Sequence, residues 1–121
     1  AIVKAFDLGA ARTGILDEDT ALEADFDPVS VTIDAPTRAH YYPGAEQLTV
    51  TLVADRETGR VLGASVVGRE GVKRIDTVAT ALHSGLSVSE LQNLDLAYAP
   101  PFSPVWDPVL TAARVLEGQL D

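Results

Sequence analysis

The segment 46–68 constrains the fold most, because it carries the pattern of a β-hairpin. In QLTVTLVA, Leu48, Val50 and Leu52 alternate with threonines, which is typical of a strand that buries one face. The turn-forming residues DRETG follow, and Gly59 among them can adopt a positive φ. RVLGASVVG then supplies the partner strand. We therefore predict an antiparallel sheet built around this hairpin.

Two segments before the hairpin are also predicted to be extended. VSVTIDA, residues 29–35, alternates cleanly between apolar and polar side chains. The opening segment AIVKAFDLGAARTG is apolar without a clean period. We place Ile2, Phe6 and Leu8 on one face of a strand there.

Helical patterns lie on both sides of the hairpin. LDEDTALEADF, residues 16–26, predicts a short helix with Asp17 as its N-cap and with Ala21 and Leu22 facing inward. After Gly71 the apolar residues recur with helical spacing, and Gly85 lies where that helix would end.

Two more helices are predicted near the C-terminus. The sequence SVSE, residues 87–90, is a capping box, and Asp107 followed by Pro108 is a strong start for a last helix. That helix, residues 109–116, is apolar on nearly two faces, more than one side of a small domain usually buries. Antiparallel strands flanked by helices indicate an α+β fold, with an antiparallel sheet and helices packed on one face.

The charge balance restricts the partners that the chain can bind. Eighteen acidic and nine basic residues give a net charge of −9, and only Lys4 and Lys73 are lysines. A field of this sign repels phosphate, which argues against nucleic-acid binding. We interpret the acidic surface as an adaptation to high salt; the alternative is an ordinary solvated surface that keeps the chain soluble.

The composition excludes further classes of chemistry. The chain has no cysteine, which rules out disulfides, thiolate metal ligands and cysteine nucleophiles within it, and which is compatible with a cytoplasmic location. No apolar run approaches the roughly 20 residues that a membrane helix needs. We therefore expect one domain of 121 residues with no membrane partner.

The familiar catalytic patterns do not occur. His40 and His83 are far apart with no cluster of ligands around them, so no metal site is predicted, and His83 is interpreted as a packing or capping residue. No serine lies in a G-x-S-x-G motif. The glycines of GRVLGASVVG lie in a hairpin, where a dinucleotide-binding loop would require a strand-to-helix turn.

Two aromatic segments remain as candidates for function. HYYPGAEQ contains Tyr41 and Tyr42 before a Pro-Gly turn. AYAPPFSPVWDP, residues 97–108, contains four prolines, Tyr98 and the only tryptophan of the chain; we call it the proline-rich segment. Such residues either cover an edge of the core or form a surface for another chain, since aromatic residues are enriched at interfaces.

These segments carry a resemblance to a known family. HYYPGA, the hairpin TLVADRETGRVLGASVVGREGVKRID, and ATALHSGLSVSELQNLDLAYAPPFSPVWDPVLTAA resemble the C-terminal dimerisation domain of FAD-dependent pyridine nucleotide-disulfide oxidoreductases. Within that superfamily the chain is most similar to coenzyme A-disulfide reductases, NADH oxidases and NADH peroxidases. The resemblance covers nearly the whole chain, and its most specific parts are residues 41–44 and 96–104.

The resemblance implies that residues 1–121 form a single dimerisation domain, a C-terminal fragment of a longer flavoenzyme. FAD, NAD(P)H and the redox cysteine would belong to the preceding domains, and the fragment itself would hold no cofactor. The partners would be a second copy and the chain's own FAD and NAD domains. On this basis we expect no activity from the isolated domain. The parent enzyme would reduce a disulfide, O₂ or peroxide, and the resemblance does not decide between them.

The resemblance also assigns roles to residues. Tyr98 and one of Tyr41 and Tyr42 would approach the substrate of the other subunit. The dimer interface that faces the partner's flavin region would include the following residues of the proline-rich segment: Ala99, Pro100, Pro101, Phe102 and Trp106.

One departure from a related branch limits the mechanism. In the glutathione reductase branch the equivalent segment is similar to H-A-H-P-T-x-x-E, and its second histidine is an acid–base catalyst. Ala99 and Pro104 occupy the positions of that histidine and of the glutamate. Neither can move a proton, so that mechanism is not expected here.

Two alternatives remain open: a free-standing binding module that uses the Tyr/Pro surface, and a small enzyme in its own right. The reading frame upstream of Ala1 would discriminate, because only the flavoenzyme requires a G-x-G-x-x-G region there.

Overall fold

The structure, a computed structural model, describes residues 1–120. Its elements alternate little between strand and helix, as the sequence predicts. The strands are β1 (Ile2–Ala5), β2 (Leu8–Gly14), β3 (Pro28–Pro36), β4 (Gln47–Asp55) and β5 (Val61–Gly68), and the helices are α1 (Glu18–Glu23), α2 (Ile75–His83), α3 (Val88–Gln92) and α4 (Pro108–Glu117). A single 3₁₀ turn, Val72–Arg74, leads into α2.

The five strands form one antiparallel sheet in the order β1-β2-β5-β4-β3. The predicted hairpin is confirmed as β4 and β5, in which Leu48 lies opposite Gly68. Leu48, Val50 and Leu52 are fully buried, as the alternation predicts. Gly59 has a φ of 76° in the turn.

Most of the core lies between one face of the sheet and the helices α2, α3 and α4. Helix α1 lies on the opposite face, where Ala21 packs in a smaller cluster with Val53 and Leu62. These two strand residues alternate with residues of the main core, so they point to the other side of the sheet. The predicted α+β fold is confirmed, with α1 as the one helix on the second face.

Helix α4 is buried within its own domain to a greater extent than the sequence suggests. It packs against β3, β4 and α3, and this wedge position buries six of its residues: Pro108, Val109, Leu110, Ala112, Ala113 and Leu116. Only Val115 among its large apolar residues is exposed. The two apolar faces of α4 are therefore explained by packing within the chain, and they do not by themselves indicate a partner.

Three further expectations are wrong. Phe6 does not share a strand face with Ile2 and Leu8, because Ala5 pairs with Leu8 and leaves Phe6 at the tip of a two-residue turn. Phe6 has a φ of 58° and is 99% exposed. Leu22 also faces solvent. His83 is exposed in the last turn of α2, so the packing role predicted for it is wrong, whereas a basic residue in the last turn agrees with the alternative of capping.

The strand register gathers several loops at one end of the sheet. The β1–β2 turn, the loop between β3 and β4 and the end of β5 all lie there, since Pro36 pairs with Gln47 and Leu48 pairs with Gly68. A hydrogen bond of 3.2 Å from the Ala39 amide to the Pro100 carbonyl attaches the proline-rich segment to the same end. The two aromatic segments of the sequence are therefore neighbours in space.

No helix within residues 1–120 is long and apolar enough to cross a membrane.

Candidate functional site

The first half of the site is the loop between β3 and β4, residues 37–46, which we call the tyrosine loop. Its beginning is a turn in which the Tyr42 amide donates to the Ala39 carbonyl at 2.8 Å. Gly44 follows Pro43 with a φ of 86°, a conformation that favours glycine. The turn places Tyr41 outward, next to His40, whose ring it meets edge-on at 5.6 Å between centroids.

The second half is the proline-rich segment. The amides of Phe102 and Ser103 both donate to the Ala99 carbonyl, at 2.9 and 3.1 Å, and so close a tight turn. The turn leaves Phe102 exposed and buries Ser103. Further along, Trp106 is 52% exposed, and the Arg114 guanidinium lies 5.6 Å from its ring centroid.

Tyr41 and Tyr98 lie near each other across the two segments, which the Ala39–Pro100 hydrogen bond joins, and we call them the tyrosine pair. Tyr41 is 67% exposed and Tyr98 is 46% exposed, so both phenols are open to a partner. Hydrogen bonding to the Tyr41 hydroxyl raises the pKa of the Tyr98 hydroxyl above its ordinary value, and desolvation adds to the effect. The Tyr98 hydroxyl consequently keeps its proton at physiological pH.

Arg74 joins the tyrosine loop to the proline-rich segment. Its Nη2 donates to the Thr37 carbonyl at 2.8 Å and to the Phe102 carbonyl at 2.7 Å. Its Nε donates to Asp107 Oδ2 at 3.0 Å, while Asp107 Oδ1 accepts from the Val109 amide at 2.9 Å and caps α4. The guanidinium thus fixes three parts of the chain through one planar group.

A second polar network anchors the tyrosine loop to the end of β5. Arg38 Nη2 donates to both carboxylate oxygens of Glu70, at 2.8 and 3.0 Å. The Thr37 hydroxyl donates to Glu70 Oε1 at 3.1 Å and accepts from the Glu46 amide at 3.0 Å. The loop is therefore held at both of its ends.

Beside the pair lies an open groove of about 450 Å³. Tyr98 and Trp106 form part of its wall, and the other lining residues are Gln92, Asn93, Leu94, Asp95, Leu96, Val105 and Leu110. Gln92 also contributes to the wall, but its side-chain oxygen is buried away from solvent, without a hydrogen-bond partner in the part of the chain that the structure describes. The groove is large enough for part of a ligand or for side chains of another chain.

Among the described residues no group of three or more His, Asp or Glu side chains could hold a metal ion. The groups available at the site are phenols, backbone carbonyls, aromatic faces and the imidazole of His40 beside Tyr41. Such groups can donate hydrogen bonds and exclude water, but Ala99 and Pro104 supply no acid or base.

The structure brings most of the predicted site residues together. Tyr41 and Tyr98 meet, and Pro100 is bonded to the tyrosine loop. Tyr42 lies beside Tyr41 in the chain and is less exposed than it. The sequence did not single out Arg74. An arginine just before an apolar helix carries no signal of its own, because three of its four acceptors come from distant segments, and only the Gly71 carbonyl is local.

Comparison with known proteins agrees with the fold and with these segments. Residues 1–108 match the pyridine nucleotide-disulphide oxidoreductase dimerisation domain. The chain is 45% identical over 117 residues to the NAD(P)H coenzyme A polysulfide/persulfide reductase of Pyrococcus horikoshii, covering 97% of this chain and 26% of that protein.

Two solved structures are similar throughout this chain. The NAD-dependent persulfide reductase from A. fulgidus superposes with a TM-score of 0.93 and 46% identity, over 98% of this chain and 22% of that one. The reduced CoADR-RHD protein of Bacillus anthracis superposes with a TM-score of 0.93 and 36% identity, over 100% of this chain and 22% of that one. The chain thus spans about a quarter of the length of such relatives.

A five-stranded antiparallel sheet with three helices on one face and a tethered aromatic end defines an interface domain of the α+β class. The chain belongs to the pyridine nucleotide-disulphide oxidoreductase dimerisation domain family. Proteins of this family are FAD- and NAD(P)H-dependent oxidoreductases.

Proposed function

We propose that this chain is the homodimerisation domain of an FAD-dependent NAD(P)H:disulfide oxidoreductase, and that it completes the active site of the partner subunit. The observation that carries the proposal is the Tyr41–Tyr98 pair, two exposed phenols held by short, tethered segments. Pro100 and Pro101 restrict the backbone beside Tyr98, so its ring reaches a partner with little loss of entropy. We assign Tyr41, rather than Tyr42, as the second phenol of the site.

The proposed role of the phenols is hydrogen-bond donation. When a disulfide bond breaks, the leaving sulfur takes the electron pair and becomes a thiolate. Because the pKa of Tyr98 is raised, its hydroxyl keeps its proton and can donate to that thiolate, whereas it is poorly suited to act as a base. The flavin, bound in the preceding domains, would supply the electrons.

For the parent enzyme we propose that the substrate is a coenzyme A derivative that contains a sulfur–sulfur bond. Support comes from relatives named for coenzyme A polysulfide/persulfide reduction and for CoA-dependent sulfur reduction, at 45% and 43% identity. NADH oxidase activity is the competing assignment, since a relative of that name is 37% identical. We expect the enzyme in the cytoplasm, where it would use the reduced nicotinamide pool.

A second candidate is a free-standing binding module that uses the groove beside Tyr98. The open groove of about 450 Å³ favours it, because the groove is large enough for part of a ligand. The reading frame upstream of Ala1 discriminates between the candidates. A dinucleotide-binding region there supports the flavoenzyme, and its absence supports the module.

The test of the first proposal uses the full-length enzyme with NADH and coenzyme A disulfide. Tyr98→Phe should leave dimerisation and flavin content unchanged and lower turnover about tenfold or more, since a hydrogen bond to a charged group contributes roughly 1.5–3 kcal/mol. Tyr41→Phe should lower turnover as well. Tyr42→Phe is the matched control and should retain wild-type turnover.

Complementation then decides which subunit the tyrosine serves. Tyr98→Phe is mixed with a variant that lacks the redox cysteine of the flavin domain, and heterodimer formation is confirmed. If the cysteine and the tyrosine of one site come from different subunits, the heterodimer regains one working site of two. No recovery would assign Tyr98 to its own subunit and contradict the proposal.

A further inference from the structure

Among the described residues, only Arg74 forms side-chain hydrogen bonds to both segments that carry the tyrosine pair. Its two shortest hydrogen bonds start from the same nitrogen, Nη2, and end on the carbonyls of Thr37 and Phe102. Thr37 is four residues before Tyr41, and Phe102 is four residues after Tyr98. The relative position of the two segments therefore depends on this one guanidinium and on the Ala39–Pro100 backbone bond.

The surroundings hold the guanidinium in a single orientation. The side chains of Arg74 and Asp107 are only 14% and 13% exposed, so their ion pair is shielded from solvent. Gly71, with a φ of 85°, lies directly beneath the guanidinium, and a Cβ atom there would collide with Arg74 Nη1. A glycine at this position thus provides the space that the arginine occupies.

A lysine at position 74 could not form these hydrogen bonds at the same time. An ammonium group is a point charge, whereas the guanidinium presents donors in a fixed planar fork that reaches Asp107 and both carbonyls at once. Asp107 is also committed to the cap of α4 through its other oxygen. The position of the fork is therefore fixed relative to a helix that is itself packed on the sheet.

We propose that Arg74 is a positioning residue of the active site, which keeps Tyr41 and Tyr98 beside each other by joining the two segments that carry them. The expected effect on turnover rests on the proposed function. The positioning itself is measured independently of turnover, by the titration of Tyr98.

The first measurement is made on the full-length holoenzyme containing tyrosine labelled with ¹³C at Cζ. The Tyr98 signal is assigned by its loss in Tyr98→Phe and followed during a pH titration. In Tyr41→Phe the pKa of Tyr98 should fall toward its ordinary value, because its hydrogen-bond partner is gone. Arg74→Lys and Arg74→Met should reproduce that fall. An unchanged titration in both variants, with dimerisation intact, would overturn the inference.

The second measurement is a double-mutant cycle in turnover of coenzyme A disulfide by NADH. If Arg74 acts through the tyrosine pair, Arg74→Met should lower kcat about as much as Tyr98→Phe, roughly tenfold, and the double variant should fall less than about twofold further. Independent effects that multiply would contradict positioning, since a residue of merely structural importance does not couple to Tyr98.

Arg56→Met is the matched control. Arg56 also donates to a backbone carbonyl, that of Gln119 at 3.0 Å, and also lies near an aspartate, but it is at the other end of the sheet. Its variant should keep both the Tyr98 titration and kcat. Should Arg74→Met fail to dimerise, Arg74→Lys, which keeps a positive charge beside Asp107, provides both readouts. If the titration shifts but Tyr98→Phe itself retains full turnover, the proposed function fails and the positioning stands.

Discussion

At the scale of single residues, Trp106 is a half-exposed aromatic side chain that is available for contact with another chain. Half of its ring is covered by its own domain and 52% remains exposed, in a position between the groove and the start of α4. The Arg114 guanidinium covers part of one side. An indole in this situation is preorganised for an interface, because its rotamer is already restrained before a partner arrives.

We expect Trp106→Ala to weaken dimerisation of the full-length enzyme. A tryptophan that becomes buried at an interface typically contributes about 2 kcal/mol or more, which corresponds to roughly thirtyfold in the dissociation constant. Sedimentation equilibrium measures it. Leu22→Ala is the control, since Leu22 is equally exposed but lies on α1, and it should pair normally. A water-exposed indole in the dimer, together with normal pairing of Trp106→Ala, would exclude this residue from the interface.

At the scale of elements, the β4–β5 hairpin is closed by a buried carboxylate. Asp55, at the end of β4, accepts hydrogen bonds from the Asp27 amide at 2.9 Å and from the Thr58 hydroxyl at 2.7 Å. It therefore joins the entry to β3 to the hairpin turn. Desolvation by burial raises the pKa of Asp55, but its hydrogen bonds together outweigh this effect and leave the pKa below the ordinary value of 3.8.

The lowered pKa of Asp55 predicts a pH-dependent contribution to stability. The ionised form is favoured in the folded state, so its contribution is fully present above pH 3.8 and is lost as the pH falls through the folded-state pKa. Asp55→Asn should lower the free energy of unfolding by about 1–3 kcal/mol at pH 7, because the Thr58 hydroxyl loses its acceptor. Urea unfolding at pH 7 and below pH 3 measures the difference, which should shrink in acid. A difference that is constant with pH would contradict this account.

At the largest scale, the chain is unusual in its negative net charge and ordinary in its size. A net charge of −9 over 121 residues produces self-repulsion that salt screens, and among the described residues Arg56 and Arg69 form exposed ion pairs with carboxylates. The high-salt interpretation of the sequence stays a prediction.

We expect the stability of the domain to rise with salt. Thermal unfolding in a series from about 0.1 M to molar KCl should show an increasing Tm, with most of the gain reached once the Debye length has fallen to a few ångströms. Potassium sulfate at equal ionic strength serves as the comparison for specific ion effects. Equal stability at low and molar KCl would exclude adaptation to high salt.

The sequence by itself determined those parts of the fold whose signals are local. The hairpin follows from an alternating pattern around a turn, and the capping box at Ser87 and Glu90 forms both of its hydrogen bonds. The N-caps at Asp17 and Asp107 are also confirmed. A residue and its neighbours within four positions decide such features, so no distant contact is needed to predict them.

The family resemblance of the aromatic segments predicted where the candidate site lies, but it did not predict the contacts that hold the site together. It named Tyr98 and left Tyr41 and Tyr42 as alternatives, because both precede the same turn. Our choice of Tyr41 stays a proposal; it rests on the proximity of Tyr41 to Tyr98, which depends on how residues 37–46 fold over the proline-rich segment.

Features that depend on pairing between distant segments could not be predicted before the folded structure was known. The register of β1 on β2 puts Phe6 in a turn, and the position of α1 on the second face of the sheet leaves Leu22 in solvent. α4 buries both apolar faces because it lies between the sheet and α3. Arg74 has no local signal for the proposed positioning role, since the acceptors on which that role rests are at least 28 residues away. Such contacts are decided by packing of the whole chain, which no short window of sequence contains.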